Sequence, residues 1–345
     1  MRAALVIFAV QQLCAGAGTY RWELPKGFPV PRVPLDNPMS IEKVKLGRFL
    51  FYDKRLSANG TMSCATCHRQ ELAFTDGRAL PVGVTGQLHP RSAQSIVNVA
   101  YGAALTWSNP GLHHLEEQVL IPMLSDRPTE LGLRGHEAAT LAAFHSDEVY
   151  RSLFPRAFPK EAGPFTIRNV AKALACFVRT IISGRSSYDR FLHDDQPDAI
   201  SESAKRGELL FFSDGTAGCF RCHSGFNFSD SAFHNTALYN PYPERNLGIF
   251  EHTHRPTDLG KFKTPSLRNV AITAPYMHDG SVKTLDAVLD PYSAGGRAST
   301  NPNRDNLIRG FVLTPQNRID LIAFLESLTD TDLLRDPRLS DPWQH

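Results

Sequence analysis

Ser63-Cys64-Ala65-Thr66-Cys67-His68 and Gly218-Cys219-Phe220-Arg221-Cys222-His223 decide how this chain is read. Each contains Cys-x-x-Cys-His, the attachment signature of c-type haem. The spacing follows from the chemistry. Two thiols about one helical turn apart add to the two vinyl groups of the porphyrin, and the next residue turns its imidazole to the iron. One match is expected by chance in about 0.4% of shuffled chains, and two in roughly one per hundred thousand. Zinc would want four ligands clustered together, whereas these motifs stand far apart. The expectation is two covalent c-type haems, one on Cys64, Cys67 and His68 and one on Cys219, Cys222 and His223, with His68 and His223 as iron ligands.

The remaining sequence fits that reading. At 345 residues there is room for two ordinary domains or one large one. Charged residues make up 21% and hydrophobic residues 42%, a globular composition. A net charge of +2 gives no electrostatic case for nucleic acid or an anionic membrane, and no apolar run reaches the roughly 18 residues of a transmembrane segment. Six cysteines are too few for a disulfide scaffold. Residues 1–17 read as a cleaved signal peptide, with Arg2, an apolar stretch to Val10, and Ala15-Gly16-Ala17 as the small-residue site. Cys14 leaves with it. Export to the periplasm suits c-type haem, which is attached outside the cytoplasm.

Helices are expected to wrap the haems. Ile167, Val170, Ala171, Leu174, Phe177, Val178 and Ile181 form a 3.6-residue stripe over residues 167–182. Residues 201–212 open on Ser201 as N-cap, residues 315–328 on Thr314 with Pro315 first in the helix, and residues 40–51 make a fourth. Cys176 lies on the stripe and reads as a small buried hydrophobe. Long Pro-, Gly- and Asn-rich loops lie between. Gly47-Arg48-Phe49-Leu50-Phe51 and Gly207-Glu208-Leu209-Leu210-Phe211-Phe212 each precede a haem motif, so the chain reads as two similar halves. The fold class is mostly α: two cytochrome c-like domains, 18–195 and 196–345, joined near the polar Asp194-Asp195-Gln196-Pro197.

Six segments carry a resemblance over nearly the whole mature length. They are Lys45 to Phe51, both haem motifs, Ile182 to Phe191, Lys263-Thr264-Pro265-Ser266-Leu267-Arg268-Asn269-Val270, and the most specific, Thr273-Ala274-Pro275-Tyr276-Met277-His278-Asp279-Gly280. In these the chain resembles the bacterial dihaem cytochrome c peroxidase and MauG superfamily. The resemblance implies that the N-terminal haem meets peroxide and the C-terminal haem stores and passes electrons. It places Tyr292, fourteen residues after His278, where the peroxidases have a Met ligand and MauG-type enzymes a Tyr. A phenolate favours high-valent iron, whereas a thioether raises the potential; Met277 is the alternative donor. Where the peroxidases carry a removable His, this chain has Val84, with His89 the nearest alternative.

By the same resemblance Glu130 is the acid–base group for peroxide cleavage, Gln118 its polar neighbour, and Trp107 the tryptophan between the haems. Glu116 and Glu117 read as a solvated helical face. A calcium ion is implied, with carbonyl donors at Thr273 and Pro275 and with Ser92 where the family has Asn. His113-His114 and His252-Thr253-His254 read as solvated histidines. Ala217 replaces the tryptophan that MauG carries just before its second haem motif. The segments 89–95 and 115–130 are more similar to the MauG-like branch of methanobactin operons (MbnH). That branch uses hydrogen peroxide to reach a high-valent bis-haem state and oxidises a tryptophan of a copper-binding partner to kynurenine. Two other functions stay open: a peroxidase fed by a small cytochrome or copper protein, and a non-catalytic electron-transfer cytochrome.

Overall fold

A computed structural model describes residues 20–344; the signal-peptide reading and Cys14 lie outside the described residues. The first element is the helix Ile41–Tyr52, where Ser40 Oγ accepts the Lys43 N–H at 3.1 Å and so caps an orphan donor of the first turn. Its buried face, Leu46, Gly47, Leu50 and Phe51, packs on the helix Ile167–Val178. The latter is capped by Thr166, whose hydroxyl accepts the Asn169 N–H at 3.1 Å. The contact is close because Gly47 lies at the crossing: a Cβ there would run into the Ala173 carbonyl oxygen and the Phe177 Cβ.

The second half repeats the device. Ser201 caps Glu202–Phe212 and Thr314 caps Pro315–Ser327, through the N–H groups of Ala204 and Asn317. Gly207 stands at their crossing, where a Cβ would meet the Asp320 carbonyl oxygen and the Phe324 Cβ. This is the physical reason for a glycine in the similar sequence before each haem motif. The duplication continues beyond the helices. Asn98 and Asn269 both take positive φ, 58° and 61°, and each starts a short 3-10 turn. The Asn98 N–H donates to the Ile181 carbonyl and the Asn269 N–H to the Leu328 carbonyl. The helix expected to reach Ile182 stops at Val178, where the chain tightens into a turn: the Thr180 N–H donates to the Phe177 carbonyl and the Ile181 N–H to the Val178 carbonyl.

Two hydrophobic clusters result. Leu50, Phe51, Phe74, Phe144, Tyr150, Phe154 and Phe177 form the first, against which Cys64 packs. Phe211, Phe228, Leu289, Leu321 and Phe324 form the second, with Cys219 and Phe220 beside it. The cores interleave across residue 195. Tyr188 belongs to the second, while Leu333 and Leu339 belong to the first. The segment after Pro315–Ser327 crosses back: Gln70 Nε2 donates to the carbonyls of Leu333 and Asp336, and the Tyr52 hydroxyl to that of Leu339. Among the described residues the only sheet pairs Phe233–His234 with Phe262–Lys263, antiparallel. No helix among them is long and apolar enough to cross a membrane.

Candidate dihaem site

Both Cys-x-x-Cys-His segments adopt one local geometry. The His68 N–H donates to the Cys64 carbonyl at 3.0 Å and the His223 N–H to the Cys219 carbonyl at 2.9 Å, closing one turn between first thiol and imidazole. His68 Nδ1 lies 2.9 Å from the Phe74 carbonyl oxygen, and His223 Nδ1 lies 3.0 Å from that of Phe228. A ring that donates through Nδ1 keeps the Nε2 lone pair for a metal, with its plane fixed. Phe74 and Phe228 both sit in the left-handed region, at φ 61° and 49°, a conformation that costs on the order of 1–2 kcal/mol for such a side chain. Strain of this kind, repeated at both carbonyls that aim the histidines, fits a functional constraint.

The donor set fits haem. None of the four motif cysteines is in a disulfide, and burial pushes the thiols of Cys64, Cys67 and Cys219 up to about 12. Burial also lowers both imidazoles, so each ring is held neutral, the form that binds iron. Next to the second motif is a cavity of about 270 Å³ whose lining includes Cys219, Cys222, His223, Tyr292, Trp107 and His278. The helix Leu285–Ser293 turns Leu285, Val288, Leu289 and Tyr292 into it, a single stripe with the phenol at its end. Burial raises the Tyr292 hydroxyl above its ordinary value, and the Cys222 and Cys219 sulfurs add to this. A phenolate here therefore requires a cation beside it. Met277 lines the same cavity, held at φ 70°.

His278 stacks on Phe262 with centroids 3.5 Å apart and planes 8° apart. Its Nε2 is buried without a partner, and burial lowers its pKa. Trp107 donates its indole N–H to the Ser92 carbonyl at 2.8 Å, and Lys263 Nζ lies 5.9 Å from its ring centroid. Burial lowers the Lys263 amine to about 8. Ser92, Thr273 and Pro275 all line this cavity too.

At the first motif the polar groups come from residues 81–91 and from the segment before Leu131. These loop residues, expected to be irregular, form a small turn in which Val82 bridges Leu88. The Val84 N–H donates to the Glu130 carbonyl at 2.7 Å. The Glu130 carboxylate is close enough to act on Cys64, Cys67 and His68, and His89 Nε2 lies 3.5 Å from its Oε1. Gln118 Oε1 is buried with no donor. One reading changes. Glu116 is not solvated: it is paired with Arg179 at 2.8 and 3.0 Å and accepts from Asn37 at 2.6 Å, bracing Leu115–Gln118 against Ile167–Val178. Glu117 is exposed, as are His113, His114, His252 and His254.

His234 escaped sequence reasoning. Its Nδ1 lies 2.6 Å from Asp305 Oδ2 and its Nε2 2.9 Å from Asp230 Oδ2, beside Cys222. The Asp230 bond, then Cys222 and Asp305, push its pKa up to about 11. Cys222, Asp230 and His234 have metal-ligand spacing, but Cys222 is the second thiol of a haem motif. Asp230 and His234 at i and i+4 are the only local signal; Asp305 is brought in by the fold.

Fold and site together define a class: a helical protein with two Cys-x-x-Cys-His sites, a carboxylate whose charge acts on one and a phenol facing the other. A family model for di-haem cytochrome c peroxidase matches residues 41–197. The methylamine utilization protein MauG of Methylophilus methylotrophus is 36% identical over 310 residues, 89% of this chain and 88% of that protein. The cytochrome-c peroxidase IdrP1 of Denitromonas iodatirespirans is 34% identical over 379 aligned positions, covering 100% of this chain and 97% of that one. A crystal structure of a MauG-like protein associated with microbial copper homeostasis superposes with a TM-score of 0.92 at 44% identity, covering 94% of this chain and all of that one. The chain belongs to the MauG and dihaem cytochrome c peroxidase superfamily, and it is a peroxide-related dihaem oxidoreductase. The non-catalytic alternative falls away.

Proposed function

We propose that this enzyme uses hydrogen peroxide to oxidise a residue of a protein partner in the periplasm: a tryptophan of a copper-binding protein, converted to kynurenine at the expense of two peroxides, with the ring carbon it loses leaving as formate. The observation that carries the reading is Tyr292, a buried phenol at the end of the stripe that Leu285–Ser293 turns into the cavity beside His223. The two haems, when bound, supply the irons that react with peroxide and hold its two oxidising equivalents.

The chain's own residues divide the remaining work. Cys64 and Cys67, and Cys219 and Cys222, hold the two porphyrins, while His68 and His223 are aimed by the carbonyls of Phe74 and Phe228. Glu130 would take a proton from peroxide and return it to the leaving hydroxide, which would depart as water. Gln118, with its unpaired acceptor, holds the bound peroxide's proton or a water beside Glu130. Tyr292 supplies the phenolate, a hard anionic donor suited to oxidised iron. Trp107, anchored to Ser92, couples the halves electronically. Carbonyls of Thr273 and Pro275 would hold a calcium ion here, with Ser92 standing where the family has its Asn donor.

Two observations favour a copper-linked partner over the one MauG serves. The MauG-like structure at 44% identity is associated with copper homeostasis. Residue 217 is a buried alanine, so no aromatic stands at the place where MauG passes charge outward. The test is mass spectrometry of the copper-binding partner after peroxide treatment with the holoenzyme. The mass of kynurenine at one tryptophan is expected. An unchanged partner, with steady oxidation of reduced cytochrome c instead, would make the protein a peroxidase of the electron-consuming kind.

A further inference from the structure

We propose that His89 is the positioning partner of Glu130, able to follow that carboxyl through both of its protonation states by changing tautomer. The inference rests on the reading of Glu130 as the acid–base group. His89 Nε2 stands 3.5 Å from Glu130 Oε1, within the looser range of catalytic pairs before a ligand tightens them. What makes the ring unusual is its other nitrogen. Nδ1 lies 3.2 Å from the Arg91 N–H donor and 3.0 Å from the Arg91 carbonyl oxygen. It is therefore placed between a donor and an acceptor of one residue.

The consequence is a neutral ring with two satisfied states. When Glu130 is ionised, Nε2 carries the proton and donates to the carboxylate, while Nδ1 accepts from the Arg91 N–H. When Glu130 holds the proton taken from peroxide, Nδ1 carries the ring proton and donates to the Arg91 carbonyl, while Nε2 accepts from the carboxylic acid. No net charge is added in either state.

Arg91 is held in place to serve this. Its side chain is ion-paired with Glu251 and lies over Phe262, the next N–H, of Ser92, donates to the His278 carbonyl at 2.8 Å, and that of His89 donates to Pro81. The charged groups acting at the first thiols include Glu130, Asp76 and Arg78; His89 adds a neutral group that can either donate or accept.

The probe is hydrogen cyanide, which must give a proton to a base as it binds ferric iron. Its association with the diferric holoprotein is followed by stopped flow for wild type, E130Q, H89L, H89Q and the double variant H89L/E130Q, all at matched haem content. E130Q is expected to slow association by about 100-fold and H89L by about tenfold. H89Q, whose amide offers a donor or an acceptor by rotation, restores the rate to within about threefold. The double variant is no slower than E130Q, because His89 acts only through Glu130. H89L at the wild-type rate, or slowing that multiplies with that of E130Q, overturns the inference and leaves Glu130 in its role. Loss of low-spin bands in H89L would make His89 an iron ligand and overturn it as well. E130Q at the wild-type rate removes the reading on which both rest.

Discussion

Removing Asp189 should damage the second haem site from a distance, and the size of the effect can be worked out. Asp189 receives two bonds from Arg268, at 2.8 and 3.0 Å, in a pair whose side chains are 6% and 3% exposed. It also accepts from the Ser186 N–H at 2.9 Å and hydroxyl at 2.7 Å, capping Ser187–His193. In D189A the buried guanidinium keeps only the Phe226 carbonyl at 2.8 Å and the faces of Phe28 and Phe228. Stranding a buried cation in this way costs about 3–5 kcal/mol, or on the order of 6–20 °C in melting temperature for a unit of this size. Because Arg268 holds Phe226 and the Phe228 carbonyl aims His223, the second haem's spectrum should change and the first haem's should not. Urea titration of the holoprotein, read in the Soret band and by circular dichroism, gives both quantities. A loss below about 1 kcal/mol would refute the reasoning. So would a double variant, D189L/R268M, no better than the sum of its singles.

Y292F should keep both haems yet lose the near-infrared band expected when peroxide is added to the diferric wild type; a band of full intensity would remove Tyr292 as the donor. Adding a methyl group in G207A should cost about 3 kcal/mol, since the new carbon meets the Asp320 carbonyl oxygen rather than a side chain that can move; a neutral result in chemical denaturation would contradict the close crossing. Acid stability offers a fourth check. Bonds from Arg206, outweighing burial, lower Asp320 to about 2. Its contribution is therefore complete above the unfolded carboxylate value near pH 4 and lost as pH falls through 2. With Arg206 half exposed, D320N should remove about 1 kcal/mol at pH 7 and flatten the acid limb of the stability curve; an unchanged limb would count against the pair.

Local chemistry was legible and long-range chemistry was not. Ser40, Ser201 and Thr314 could be read as caps because an N-cap depends on the three residues that follow it. The haem motifs could be read because both thiols and the imidazole lie within one turn. Leu285–Ser293 was missed: it is nine residues long with Pro291 inside, and its cavity-facing stripe ends on a residue known only through the resemblance. The ion pair of Glu116 with Arg179 joins residues far apart in the chain, as does that of His234 with Asp305. No periodicity announces such partners. The segment around Leu333, Leu339 and Trp343 has too few apolar residues to signal that it closes a distant core.

That crossing segment sets an order of events during synthesis. Arg48 Nε reaches the Ser340 carbonyl at 2.6 Å and Trp343 Nε1 the Phe49 carbonyl at 3.1 Å, so the helix before the first haem motif is finished by residues made after the second. A chain exported N-terminus first would present Cys64 and Cys67 to the attachment machinery while their side of the core still stood open. The first core would close only after both porphyrins could have been joined.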